Sequence, residues 1–112
     1  MKNKREKVLK ENLDRIITDL KEKYNPQKVI LFGSYASGKV RNFSDLDLLV
    51  IKDTKSKFFD RLREVTKICN YNIGVDFLVY TPEEYDEQLE KNLFFREEIV
   101  SKGKVIYAKW YF

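Results

Sequence analysis

Apolar residues recur at three- and four-residue spacing near the start of the chain, at Val8, Leu9, Leu13, Ile16, Ile17, Leu20 and Tyr24, with Lys, Glu, Asp and Arg between them. That period predicts one amphipathic helix. Asn25-Pro26 ends it, because the residue before a proline is pushed out of the helical region. Residues 28–33 (KVILFG) form a short apolar run rich in strand formers and predict a first strand, closed by a Gly33-Ser34 turn. Residues 35–44 carry Gly38, Asn42 and Ser44 without a sustained apolar period and predict a turn or short helix followed by a loop. Residues 45–51 (DLDLLVI) alternate acid and leucine before becoming wholly apolar, the pattern of a second strand that is polar on one face of its first half.

The helical period returns at Phe58, Phe59, Leu62, Val65, Thr66, Ile68 and Cys69, and Asn70, Asn72 and Gly74 supply the stop. Residues 75–80 (VDFLVY) predict a third strand. Thr81-Pro82-Glu83-Glu84 combines a capping residue, a proline at the first helical position and two first-turn acids, so a helix is expected through about residue 89. Residues 92–101, with Leu93, Phe94, Ile99 and Val100, predict a last helix ending before Gly103. Val105-Ile106-Tyr107 then predicts a short edge strand. The expected fold class is α/β (α+β): one domain over residues 1–112, a small mixed β-sheet with three core strands and helices packed against it.

Composition narrows the chemistry. The 112 residues hold 43% hydrophobic and 36% charged side chains, the balance of an ordinary globule with one modest core. No apolar run approaches the length of a membrane span and the first residues lack the apolar stretch of a signal peptide, so a cytoplasmic protein is expected. Cys69 is the single cysteine, which excludes an internal disulfide or a zinc cluster and reads as a small core residue. With no histidine, imidazole bases and imidazole metal ligands are excluded as well. The net charge of +4 arises mostly from helix-surface lysines and is a weak pointer to nucleic acid, which is not an expected partner.

Chemistry therefore falls to carboxylates. Asp45 and Asp47 stand two apart at the mouth of a strand, on one face and about 7 Å apart along the backbone. A cation would relieve their repulsion, and oxygen-only ligation suits Mg²⁺ or Mn²⁺ rather than zinc. Asp76, flanked by Val75 and Phe77 in a segment that otherwise reads as buried core, can complete a set of three if the second and third strands are neighbours. Gly33-Ser34, where a strand gives way to a turn, offers backbone N–H groups and a hydroxyl to a phosphate. Divalent ions and a phosphate cradle, with no nucleophilic side chain, describe in-line attack by a substrate oxygen on phosphorus.

The run Gly33-Ser34-Tyr35-Ala36-Ser37-Gly38, a five-residue spacer, then Ser44-Asp45-Leu46-Asp47-Leu48 resembles the signature of the minimal nucleotidyltransferases of the DNA polymerase β superfamily. The similarity continues through VDFLVYTPEEYDE to FFREEIVSKGKVIY and so covers nearly the whole chain. The resemblance implies a polymerase β-like nucleotidyltransferase fold. It also implies that Asp45, Asp47 and Asp76 ligate two Mg²⁺ ions, with Asp76 assisting deprotonation of the attacking hydroxyl, and that Gly33, Ser34 and Ser44 bind the nucleotide. Small members of this group act as antitoxins that attach AMP from ATP to a tyrosine of a helical HEPN ribonuclease toxin, which makes such a toxin the implied partner in a hetero-complex. Transfer to a small molecule such as an antibiotic, with a separate acceptor-binding subunit, is the alternative, and a non-catalytic binding module is a third. Ser37 stands where family members often carry arginine; Lys39 or Arg41 is then the candidate source of the missing charge. Trp110-Tyr111-Phe112 is an apolar end that could meet another chain or fold back on the sheet.

Overall fold

The structure is a computed structural model and describes residues 4–109; Trp110, Tyr111 and Phe112 lie outside the described residues. Helix α1 (Lys4–Lys23) precedes strand β1 (Lys28–Phe32), the four-residue helix α2 (Gly33–Ala36) and strand β2 (Leu46–Ile51). Helix α3 (Phe58–Ile68), strand β3 (Val75–Tyr80), helix α4 (Pro82–Lys91), a π-helical segment (Phe95–Ser101) and strand β4 (Lys104–Ala108) complete the order. Among the described residues no helix is long and apolar enough to cross a membrane.

The strands form one mixed sheet in the order β3-β2-β1-β4. β1 is antiparallel to both β2 and β4, and β2 is parallel to β3, with α3 as the crossover. Strand alternation sorts the side chains into two layers. Val29, Leu31, Leu46, Leu48, Val50 and Val79 face α1 and α3, where Leu9, Ile16, Leu20 and Val65 are fully buried and Cys69 nearly so. Ile30, Leu49 and Ile51 face the other way, toward Tyr85 of α4 and Phe95. Asp47 and Asp76 share the parity of this second face.

Several boundaries differ from the sequence pattern, each for a physical reason. α1 begins at Lys4, four residues before its first apolar position, because Lys, Arg and Glu are good helix formers and need no core contact. β2 begins at Leu46, leaving Asp45 in the preceding loop. β3, expected among the core strands, is a sheet edge. Asp76 is accordingly exposed rather than buried. In α3 Phe59 points outward, 70% exposed, although its spacing groups it with the buried positions. The last helix adopts π geometry, which turns Phe95 into the core and leaves Leu93 and Phe94 outside. Thr81 caps α4 as its sequence predicts: its side chain accepts the Glu84 N–H while the Glu84 carboxylate accepts the Thr81 N–H at 2.8 Å, a reciprocal capping box.

α1 also braces the loops that enter the two acid-bearing strands. Buried Asn12 donates to Asn72 Oδ1 at 2.9 Å and accepts the Asn72 N–H at 2.8 Å, and Asp19 accepts the Asn70 N–H at 2.8 Å. The 70–74 loop that delivers β3 is thereby pinned to the helix.

Candidate active site

The parallel register of β2 and β3 sets Asp47 directly opposite Asp76, and the antiparallel register of β1 and β2 sets Phe32, the residue before Gly33, opposite Asp47. Leu46 pairs with Val75, which brings Asp45 to the level of Gly74. Asp47 and Asp76 thus meet at one end of the sheet, on the second face, and Asp45 stands beside that end in the loop before β2.

Two glycines make this approach possible. Gly33 has φ +80°, a left-handed conformation that strains other residues, and a Cβ there would collide with the Asp47 carboxylate. The backbone that opens α2 is therefore packed against Asp47, so its first N–H groups, which have no partner within the helix, stand beside an acid. Gly74 lies against the other acid: a Cβ on it would come within 2.6 Å of the Asp45 carboxylate. Gly74 reads in the sequence only as a helix stop, and its role beside Asp45 depends on a strand pairing that no local pattern encodes.

The electrostatics match the geometry. Burial pushes the Asp47 carboxyl up to about 6, and the charges of Asp76 and Asp45, with a side-chain hydrogen bond to Asp76, add to the shift. A carboxylate that resists ionisation because it is half-buried, and further because two others are near, is one whose charge a divalent cation would offset. Oxygen donors alone suit Mg²⁺ or Mn²⁺, so the donor set fits the metal that the sequence suggests. As they stand, the acids do not converge on one ion position among the described residues. The Asp45 carboxylate is engaged elsewhere, its Oδ1 accepting from Arg5 at 3.3 Å.

Beside the acids runs a groove of about 520 Å³ lined by Ser34, Ser37, Lys39, Arg41, Phe43 and Ser44. Its far wall is held by short bonds. Lys39 N–H donates to Ser34 O at 2.9 Å, Arg41 N–H donates to Ser44 Oγ at 2.8 Å, and Ser37 Oγ donates to Ser34 O at 3.1 Å. Ser44 is buried and its hydroxyl closes the 41–44 turn, while Ser34 is half-buried on the groove wall. Val40 packs against the first core layer, so the exposed Lys39 and Arg41 on either side of it project into the groove. Tyr35 packs partly against the same layer, in keeping with an aromatic beside a turn.

The model for the polymerase beta nucleotidyltransferase family matches residues 14–110. The chain belongs to this family. A relative from Methanocaldococcus jannaschii, named "Putative protein adenylyltransferase", is 32% identical over 106 residues, covering 91% of this chain and 97% of the relative. Among solved structures, a "putative nucleotidyltransferase" from Sulfolobus solfataricus superposes with a TM-score of 0.58 at 23% identity, covering 93% of this chain and 80% of that one. A toxin-antitoxin structure with AMP-PNP gives a TM-score of 0.56 at 20% identity, with 89% and 76% covered. The two solved structures share this chain's fold, and the chain is a nucleotidyltransferase.

Proposed function

We propose that this nucleotidyltransferase, one domain over residues 1–112, moves AMP from ATP to a hydroxyl, that of a tyrosine on a HEPN-type helical toxin, and acts as the toxin's antitoxin. The observation that carries this reading is the placement of Asp47 opposite Asp76, with Asp45 beside them and the Gly33 turn packed on Asp47. It supports the reading because backbone N–H groups of the kind that hold phosphates then stand beside three carboxylates. The relative named for protein adenylylation supports a protein acceptor, and the AMP-PNP neighbour supports ATP as donor.

In this reading Asp45, Asp47 and Asp76 would hold the two Mg²⁺ ions. When bound, the metal neutralises phosphate charge and lowers the pKa of the attacking hydroxyl. The chain's own groups do the rest. Gly33 and Ser34 hold the triphosphate, and Ser44 keeps the groove wall in place. Lys39 and Arg41 supply the positive charge that Ser37 does not. The acceptor oxygen bonds to the α-phosphorus as the bond to the β-phosphate oxygen breaks; pyrophosphate leaves, and the hydroxyl proton passes to Asp76.

Intact mass spectrometry tests the reading: the chain is co-expressed with its neighbouring gene product and incubated with Mg²⁺ and ATP. An added AMP on a partner tyrosine, absent with Asp47→Asn, is the expected result. Unmodified partner under every nucleotide and metal overturns the protein-acceptor reading and favours a small-molecule acceptor.

A further inference from the structure

Arg5, near the start of α1, reaches the outer acid of the site across 40 positions in the chain. Its Nε donates to Ser44 O at 2.8 Å and its terminal nitrogen approaches Asp45 Oδ1 at 3.3 Å. The two contacts are fixed differently. Ser44 is buried and anchored by its bond from Arg41, so the Arg5–Ser44 contact holds the guanidinium in place. Asp45 is half-exposed, with Gly74 on its other side leaving no side chain to confine it. Among the described residues Arg5 is the only cation within ion-pair distance of Asp45, Asp47 or Asp76.

We propose that Arg5 is a resident counter-ion of the metal site, a positioning residue that holds Asp45 in the free protein and yields that carboxylate when a divalent ion binds. The inference rests on the reading of the three aspartates as metal ligands. The physical basis is competition: a carboxylate oxygen directed at a guanidinium is not directed at a metal, and the ion must offset the ion pair it breaks. The Arg5–Ser44 bond does not depend on Asp45, so the guanidinium stays at the mouth of the site after the exchange. Binding of bare metal is thereby weakened, and loading is favoured when a polyphosphate arrives with it and brings negative charge of its own.

The experiment is Mn²⁺ binding to the free 112-residue chain, without nucleotide or acceptor, followed by titration calorimetry. Arg5→Gln removes the charge and is expected to bind Mn²⁺ about two- to fivefold more tightly than the wild type, the range set by an exposed ion pair. Arg5→Lys keeps the charge and should stay near the wild-type affinity. Equal or weaker binding by Arg5→Gln overturns the inference while leaving the metal site intact. Absence of Mn²⁺ binding in both the wild type and Arg5→Gln removes the metal-site reading and the inference together. Should Arg5→Gln fail to fold, the terminal Nη–H resonances of Arg5 in the wild-type chain serve instead: they must move as Mg²⁺ saturates the site and frees them from Asp45, and resonances that stay in place overturn the inference.

Discussion

Asp47 and Asp76 face one another across the parallel β2–β3 pair, and this one register decides where the chemistry sits. Two carboxylates directly opposite on a sheet are unfavourable without a cation, so the pair destabilises the metal-free fold. Asp47→Asn removes the repulsion and should raise metal-free stability at pH 7.5 by about 1 kcal/mol after solvent screening. The sign follows from the raised pKa. In the folded chain Asp47 holds its proton up to about 6, against 3.8 for an unperturbed group, so this group's contribution to stability is fully present below pH 3.8 and is lost as pH rises through about 6. Thermal melts in EDTA should show that decline in the wild type and a flatter profile in Asp47→Asn. The same substitution should lower transfer activity by more than about a hundredfold, beyond what outer-shell metal partners cost.

Gly33 and Gly38 separate backbone strain from site geometry. Both have positive φ, +80° and +77°, so either alanine substitution strains the chain by about 1 kcal/mol or more. A Cβ at residue 38 meets nothing within 4 Å, whereas one at residue 33 strikes Asp47. Gly38→Ala should lose stability and keep nucleotide binding. Gly33→Ala should lose both, and a calorimetric ATP affinity equal in the two variants would remove Gly33 from the site.

Lys39 and Arg41 provide the positive wall of the groove in a chain whose residue 37 is serine. A triphosphate carries more negative charge than AMP, so neutralising these residues should act mainly on the longer ligand. Arg41→Gln should weaken ATP binding about tenfold, as loss of a charged hydrogen bond does, and leave AMP nearly unchanged. An equal effect on both ligands would point to loop damage instead.

The legible and illegible parts of this molecule divide by distance along the chain. Asp47 could be placed on the polar side of a strand start because strand alternation is local, though Asp45, expected in the same strand, lies in the loop before it, and Thr81-Pro82-Glu83-Glu84 marked its helix start because capping involves neighbouring residues. Asp76 could be linked to them only through a strand pairing, and its edge position, hence its exposure, followed from a sheet order that no local pattern encodes. Arg5, Asn12 and Gly74 escaped for the same reason: each acts on a loop 40 to 60 positions away, or in Gly74's case on Asp45 in a different strand's approach. Phe95 escaped because π geometry shifts the buried face away from a 3.6-residue period.

Cys69 packs at the end of α3 against the first core layer, and burial, reinforced by the charge of Asp19, pushes its thiol up to about 12. The thiolate is the reactive form, so at pH 8 the folded chain should react with iodoacetamide far more slowly than the chain in urea. Prompt labelling of the native protein would show that the 69–72 segment opens readily from α1.

Arg61 is buried beneath α4, where it donates to Glu84 Oε1 at 2.6 Å, Val79 O at 3.2 Å and Ser56 O at 2.8 Å. Burial pushes the Glu84 carboxyl up, but the bonds from Arg61 and Thr81 outweigh it and hold its pKa below the usual 4.5. A lowered carboxyl pKa contributes stability above its unfolded value and loses it as pH falls through the folded one. Glu84→Gln keeps part of the cap but leaves Arg61 without its counter-charge, and should cost about 1–2 kcal/mol at neutral pH, less than for a fully buried pair because Glu84 is 42% exposed. The difference should shrink below pH 4.5, as the wild-type carboxylate takes up its proton. Urea unfolding of the two chains from pH 7 to pH 3 measures it, and a gap that stays constant over that range would assign the cost to packing at α4 rather than to the ion pair.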